Sequence, residues 1–190
     1  MASDTKNVYA AEPLATGSCL VADLGTAGPT DATTALDPAD WTDLGHLGED
    51  GITETTDRSI EKKKNFGGAT VKVLQTDYTH TYKFVLLESL NADVLKAVYG
   101  EDNVTVTGSE VAITKNKKKL PHKSWVFDTT DTELGDDGAF YRDYIPDGQI
   151  TSIGDVVRVH TDTIEYEVEL EVFEDATGNH VYTWTDNGIA

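Results

Sequence analysis

Glu165, Glu167, Glu169 and Glu171 occupy every second position of one short stretch and are the densest chemistry-bearing set in the chain. A pair of carboxylates can serve as acid and base in hydrolysis, provided a cleft holds them apart and separates their pKa values. On alternate residues of one strand they stand about 7 Å apart on a single face, repel each other modestly and share the same water. That arrangement makes an acidic surface and supplies neither a cleft nor a perturbed acid. The histidines His46, His80, His122, His160 and His180 are scattered, and no two have the spacing that brings imidazoles onto one metal.

Two acidic runs invite a calcium reading: Asp131, Glu133, Asp136 and Asp137 in one, and Asp175, Thr177 and Asn179 in the other. Neither matches the loop that ends in a distant bidentate glutamate, so solvated acidic turns are the preferred reading. Lysine runs at 62–64 and 115–119 raise the question of nucleic acid, because lysines beside phosphates release counterions. Both runs are short and lack interleaved aromatic residues. The chain's net charge of −19 also opposes DNA. Gly67-Gly68 lacks the lysine and hydroxyl of a phosphate loop, and no Gly-x-Ser-x-Gly elbow occurs. With one cysteine, Cys19, neither an internal disulfide nor a thiolate cluster can form. No catalytic residue, cofactor or metal is assigned. The first residues read as no leader peptide, and no apolar run approaches the roughly 20 residues of a membrane span.

The elements that must carry these residues are mostly strands. Ile164, Tyr166, Val168, Leu170 and Val172 alternate with the glutamates, which predicts a long strand over 163–173 with one core face and one acidic face. A second, 78–87, alternates in the same way, with His80 interrupting its apolar side. Further strands are expected at 17–22, 41–47, 52–56, 69–75, 103–106, 110–113, 124–128, 139–145, 148–153, 155–160 and 181–185. Asp147-Gly148 and Gly178-Asn179 give the sharpest hairpin signals. Val94, Leu95 and Val98 sit at helical spacing after Ser89 or Asn91 as cap and before Gly100, which predicts one short helix over 92–99. Trp41, Trp125 and Trp184 are expected in the core. A chain of 190 residues with this pattern is one all-β domain, a sandwich or barrel, with one flanking helix. Three stretches, 25–40, 57–68 and 129–138, read as mobile or partner-dependent.

Several of these pieces taken together resemble a known family. The run Trp41-Thr42-Asp43-Leu44-Gly45-His46-Leu47-Gly48-Glu49-Asp50-Gly51-Ile52-Thr53 is similar to the early strand pair of major tail proteins, the tail tube subunits of long-tailed, siphovirus-type phages of actinobacteria. Tyr141-Arg142-Asp143-Tyr144-Ile145-Pro146-Asp147-Gly148-Gln149-Ile150, then Gly154-Asp155-Val156, looks like the second half of that family, and the glutamate strand and the Trp184 hairpin complete the order. The resemblance implies a β-sandwich or half-barrel with a flanking helix, six copies to a ring, and rings stacked into a tube. The tube encloses the tape measure protein, is bounded by tail terminator and distal tail proteins, and carries DNA without binding it specifically. It implies a virion protein assembled in the host cytoplasm, with no membrane partner.

The resemblance also assigns roles to residues. Glu165, Glu167, Glu169 and Glu171 become lumen-facing, where carboxylates repel the phosphate backbone. Residues 57–68 match the family's inter-ring loop, with Arg58, Lys62, Lys63 and Lys64 facing acidic loops such as Asp136 and Asp137 of the next ring. Residues 1–13 become a flexible arm. Two other readings stay open at this point: another virion β module, such as a capsid decoration or tail-tip protein, and a carboxylate-dependent hydrolase.

Overall fold

The computed structural model describes residues 5–135 and 138–188 of the chain. Its strands are β1 (Glu12–Pro13), β2 (Cys19–Asp23), β3 (Thr42–Asp43), β4 (Leu47–Lys64) and β5 (Thr70–Leu86), followed after the helix α1 (Ala92–Tyr99) by β6 (Val104–Thr107) and β7 (Glu110–Ile113). Then come β8 (Lys123–Asp131), β9 (Ala139–Ile153), β10 (Tyr166–Val172) and β11 (Tyr182–Asp186). The class is all-β with one short flanking helix. One antiparallel sheet runs in the order β3-β2-β8-β9-β10-β5-β4, with β1 added to β8 and β11 to β9, while β6 and β7 form a separate hairpin.

The sheet curls on itself. In a flat sheet β8 and β5 would lie three strand spacings apart, about 14 Å. Yet Phe127 of β8 stacks on Tyr82 of β5 with ring centroids 5.2 Å apart and meets Phe84 edge-on at 5.2 Å. The sheet therefore wraps a core built from alternate residues: Trp125 and Phe127, Ile145 and Ile150, Tyr166, Val168, Leu170 and Val172, and Tyr82, Phe84 and Leu86. Val94, Leu95 and Val98 of α1 close the concave side, with Val111 and Ile113 of β7 beside them. Asn91 caps the helix by accepting the Asp93 amide at 3.0 Å, and Gly100, at φ 91°, ends it.

Three expectations need correction. Asp147-Gly148 is no hairpin: β9 continues through it as one strand. The glycine is demanded by packing instead, since a Cβ there would lie 2.9 Å from Cδ1 of Trp125, whose indole N–H donates to the Gly148 carbonyl at 3.3 Å. Residues 155–160 form no strand. The Gly154 amide donates to Glu167 O at 2.8 Å, the pairing stops there, and Val157 and Val159 are left exposed. Trp41 and Trp125 are buried as expected, but Trp184 is only half-buried on β11, stacked on Tyr182. Gly178, at φ 83°, does make its turn, closed by its amide on the Asp175 carbonyl at 3.0 Å.

Candidate assembly surfaces

The glutamate strand sits inside the sheet, between β9 and β5. Rows across the strands separate two faces. Ile52, Phe84, Val168 and Ile153 form one row of the core face, whereas Thr53, Lys83, Glu169 and Ser152 form a row of the opposite face, with Thr55, Thr81, Glu171 and Gln149 as the next. Apart from Val85, which pairs with Glu167, these rows of the opposite face are polar. Glu165 lies just before β10 and is exposed, as is Glu167; Glu169 and Glu171 are half-buried. Lys83 neutralises part of the stripe, with its Nζ 3.2 Å from Glu169 Oε2. Glu171 borders a groove beneath the lysine loop 115–119, where Lys115 rests over the Tyr99 ring at 4.6 Å.

The charged run 57–68 is not an irregular loop. It forms the outer half of a hairpin in which β4 and β5 pair from Ile52 and Phe84 out to Lys64 and Thr70. Asn65 turns the chain by accepting the Ala69 amide at 2.9 Å on its side chain. Arg58 lies over the Tyr78 ring at 4.6 Å and reaches Gln75 Oε1 at 3.3 Å. By register Arg58, Ile60, Lys62 and Lys64 share the face that is continuous with the core; Lys63 is on the other, 2.6 Å from Glu61. Among the described residues Lys62 and Lys64 have no ion-pair partner. The acidic residues expected opposite them, Asp136 and Asp137, lie outside the described residues. Their neighbour Asp131 accepts the Ala10 and Glu133 amides at 2.7 and 3.0 Å.

The Thr-rich run 25–40 is packed on the sheet. It covers the convex side of β2, β8 and the first half of β9, where Trp41, Ala22 and Val126 form a second small core with Leu20, Leu36 and Tyr144. Arg142 fastens it. Nε and NH2 of that guanidinium reach the two carboxylate oxygens of Asp128 at 2.7 Å each, and NH1 donates to the carbonyls of Asp31 and Thr34 at 3.1 and 2.8 Å. Because this run shields one half of the convex face, the bare half is the one that carries the glutamates. Residues 9–13 lie along β8, with Tyr9 O–H donating to Thr129 at 2.9 Å and Glu12 and Pro13 paired with Thr130 and Thr129.

These surfaces accompany a match to a phage tail tube protein family model over residues 1–189. The chain belongs to the phage tail tube protein family. It is a structural protein of a phage tail. Among solved structures, the tube terminating cap of the anti-feeding prophage, determined by cryo-EM, aligns with 98% of this tail tube protein and all of its own chain, at 10% identity and a TM-score of 0.44. That likeness is too distant to carry an argument. The curated proteins contain no match.

Sequence reasoning missed the inner polar end of this tube protein. The core face of the sheet changes from apolar to polar toward the hairpin root. There Asp143 accepts hydrogen bonds from Thr183 at 2.5 Å and Tyr82 at 3.2 Å, and Nε2 of buried His80 meets Glu54 at 2.7 Å. Nδ1 of His80 is buried without a partner among the described residues. Burial pushes the Asp143 carboxyl above the ordinary aspartate range; the Thr183 hydrogen bond opposes this and the nearby Glu54 charge adds to it. His80 was visible in the sequence as a break in an apolar face, but its partners come from strands that only the tertiary fold brings close. The Asp175 loop, weighed for calcium, closes on itself instead. Its carboxylate accepts from both Thr177 groups at 2.8 Å, the Asn179 amide at 3.0 Å and Tyr182 O–H at 2.7 Å, and these bonds hold it well below the usual range. No helix among the described residues is long and apolar enough to cross a membrane.

Proposed function

We infer that this protein self-assembles into hexameric rings that stack into the tail tube of a siphovirus-type phage of actinobacteria. The family match over residues 1–189 carries the reading. In it the polar half of the convex face, with Glu165, Glu167, Glu169 and Glu171, lines the lumen. Carboxylates there repel the DNA backbone and let it slide without specific contact. The β4–β5 hairpin is the inter-ring element. With Arg58, Lys62, Lys63 and Lys64 it offsets repulsion between subunits of net charge −19, by facing acidic segments such as that of Asp136 and Asp137. Residues 1–13 serve as a further arm between subunits. The tube encloses a tape measure protein, meets terminator and distal tail proteins at its ends, and is built in the host cytoplasm.

The deciding experiment is negative-stain electron microscopy of the purified protein at rising concentration, with light scattering on the same samples. Rings or hollow tubes are expected. Persistent monomers or small closed oligomers would move the protein to a decoration or tail-tip role within the tail.

A further inference from the structure

The long hairpin leaves two features of the single subunit without partners, one at each end. At its tip Phe66 is fully exposed, two residues beyond Lys64 and between Asn65 and Gly67-Gly68. At its root lies a groove of about 810 Å³, between residues 9–18 and the start of β4. Tyr82 and Phe127, stacked at 5.2 Å, lie at its floor, and Leu14 and Ile52 line its walls. Three exposed carboxylates, Asp43, Glu49 and Glu54, stand on its rim. An aromatic tip flanked by lysines and an aromatic-floored groove rimmed by acids are complementary in shape class and in charge.

The two cannot meet within one molecule. From Glu54 to Phe66 a strand rising about 3.3 Å per residue covers about 40 Å, and continuous pairing with β5 keeps it extended. We propose that the hairpin tip of one copy seats Phe66 in this groove of the next copy, with Lys62 and Lys64 facing the rim carboxylates Asp43, Glu49 and Glu54. Removing a whole aromatic side chain from water supplies the anchor, and the charges set register and speed of encounter. Tip and groove are different patches, so the contact is heterologous: each added copy leaves one free tip and one free groove, and growth continues wherever the rotation between copies does not close a ring. This deepens the tube reading and rests on it for the identity of the next copy.

Cysteine pairing separates the two ideas. A Gly67→Cys protein, which keeps the Phe66 anchor, mixed with an Ala15→Cys protein under oxidising conditions is expected to give at least about tenfold more intermolecular disulfide than Gly67→Cys mixed with Thr105→Cys. Ala15 lines the groove, Thr105 lies on the exposed β6, and the native Cys19 is fully buried. Equal yields overturn the docking, even where microscopy shows tubes. Strong pairing without tubes keeps the docking and removes the tube. In parallel, Phe66→Ala is expected to raise the concentration at which polymer appears by about tenfold or more, with Phe66→Leu restoring most of it. Unchanged polymerisation of Phe66→Ala also sinks the proposal.

Discussion

Arg142 and Asp128 stand almost out of water, with side-chain exposures of 5% and 8%. A charge pair at that depth is sustained by saturating its hydrogen bonds, and the carbonyls of Asp31 and Thr34 complete the set. Truncation of one member leaves the other buried and unpaired, so Arg142→Ala is expected to cost about 3–5 kcal/mol in urea denaturation. It should also release 25–40 to rapid proteolysis, and replacing both partners by apolar residues should recover most of the stability. Asp143 behaves differently. Its folded-state pKa is raised, so the folded protein holds that proton more tightly than the unfolded chain does. Its contribution therefore favours folding at low pH and is lost as pH rises from about 4 through the raised value. Asp143→Asn removes the titration, and a flatter profile of urea midpoint against pH is the expected result.

The long hairpin is two elements in one. Its root rests on the core through Phe84, Tyr82 and His80, while beyond Tyr78 nearly every residue is exposed and the ladder has water on both faces. An isolated two-stranded ladder is marginally stable in water. Hydrogen exchange should accordingly be fast for amides 57–76 of the free subunit and slow for 80–86, with the outer amides becoming protected on polymerisation. Uniform protection in the free subunit would show that the outer hairpin needs no partner. The helix was legible in the sequence, because its cap, periodicity and terminal glycine agree over a short span. The hairpin's length was not. Its outgoing strand, 57–64, carries mostly charged residues with no apolar alternation, although Val71 and Val73 made 69–75 readable as a strand, and backbone pairing holds the two extended in place of side-chain burial.

For the whole molecule the proposed tube poses one question, whether the bare half of the convex face is the lumen wall. The run 25–40, rich in Thr, Ala and Asp, covers one half, leaving β10, β5, the root of β4 and the end of β9 bare. If that half lines a lumen, a cysteine at Glu167 should react with a bulky maleimide polymer in the free subunit and be protected in the assembled tube. Buried Cys19 contributes no background. Equally fast labelling in both states would put the stripe on the outer wall.

Period-two alternation was enough to determine an all-β chain with an acidic strand, and helical spacing its one helix, since the side-chain period of an element is a local property that burial of one face makes readable. The tertiary structure decided the rest. Sequence could not place Arg142 against the Asp31 and Thr34 carbonyls, because the two segments lie far apart along the chain and the contact forms only when β8 and β9 pair. Nor could it tell that Gly148 serves the Trp125 indole and not a turn, since both uses need the same missing side chain. The groove at the hairpin root exists because the sheet curls until β5 meets β8, and curvature of that kind is a property of the assembled strands, written in no single one of them.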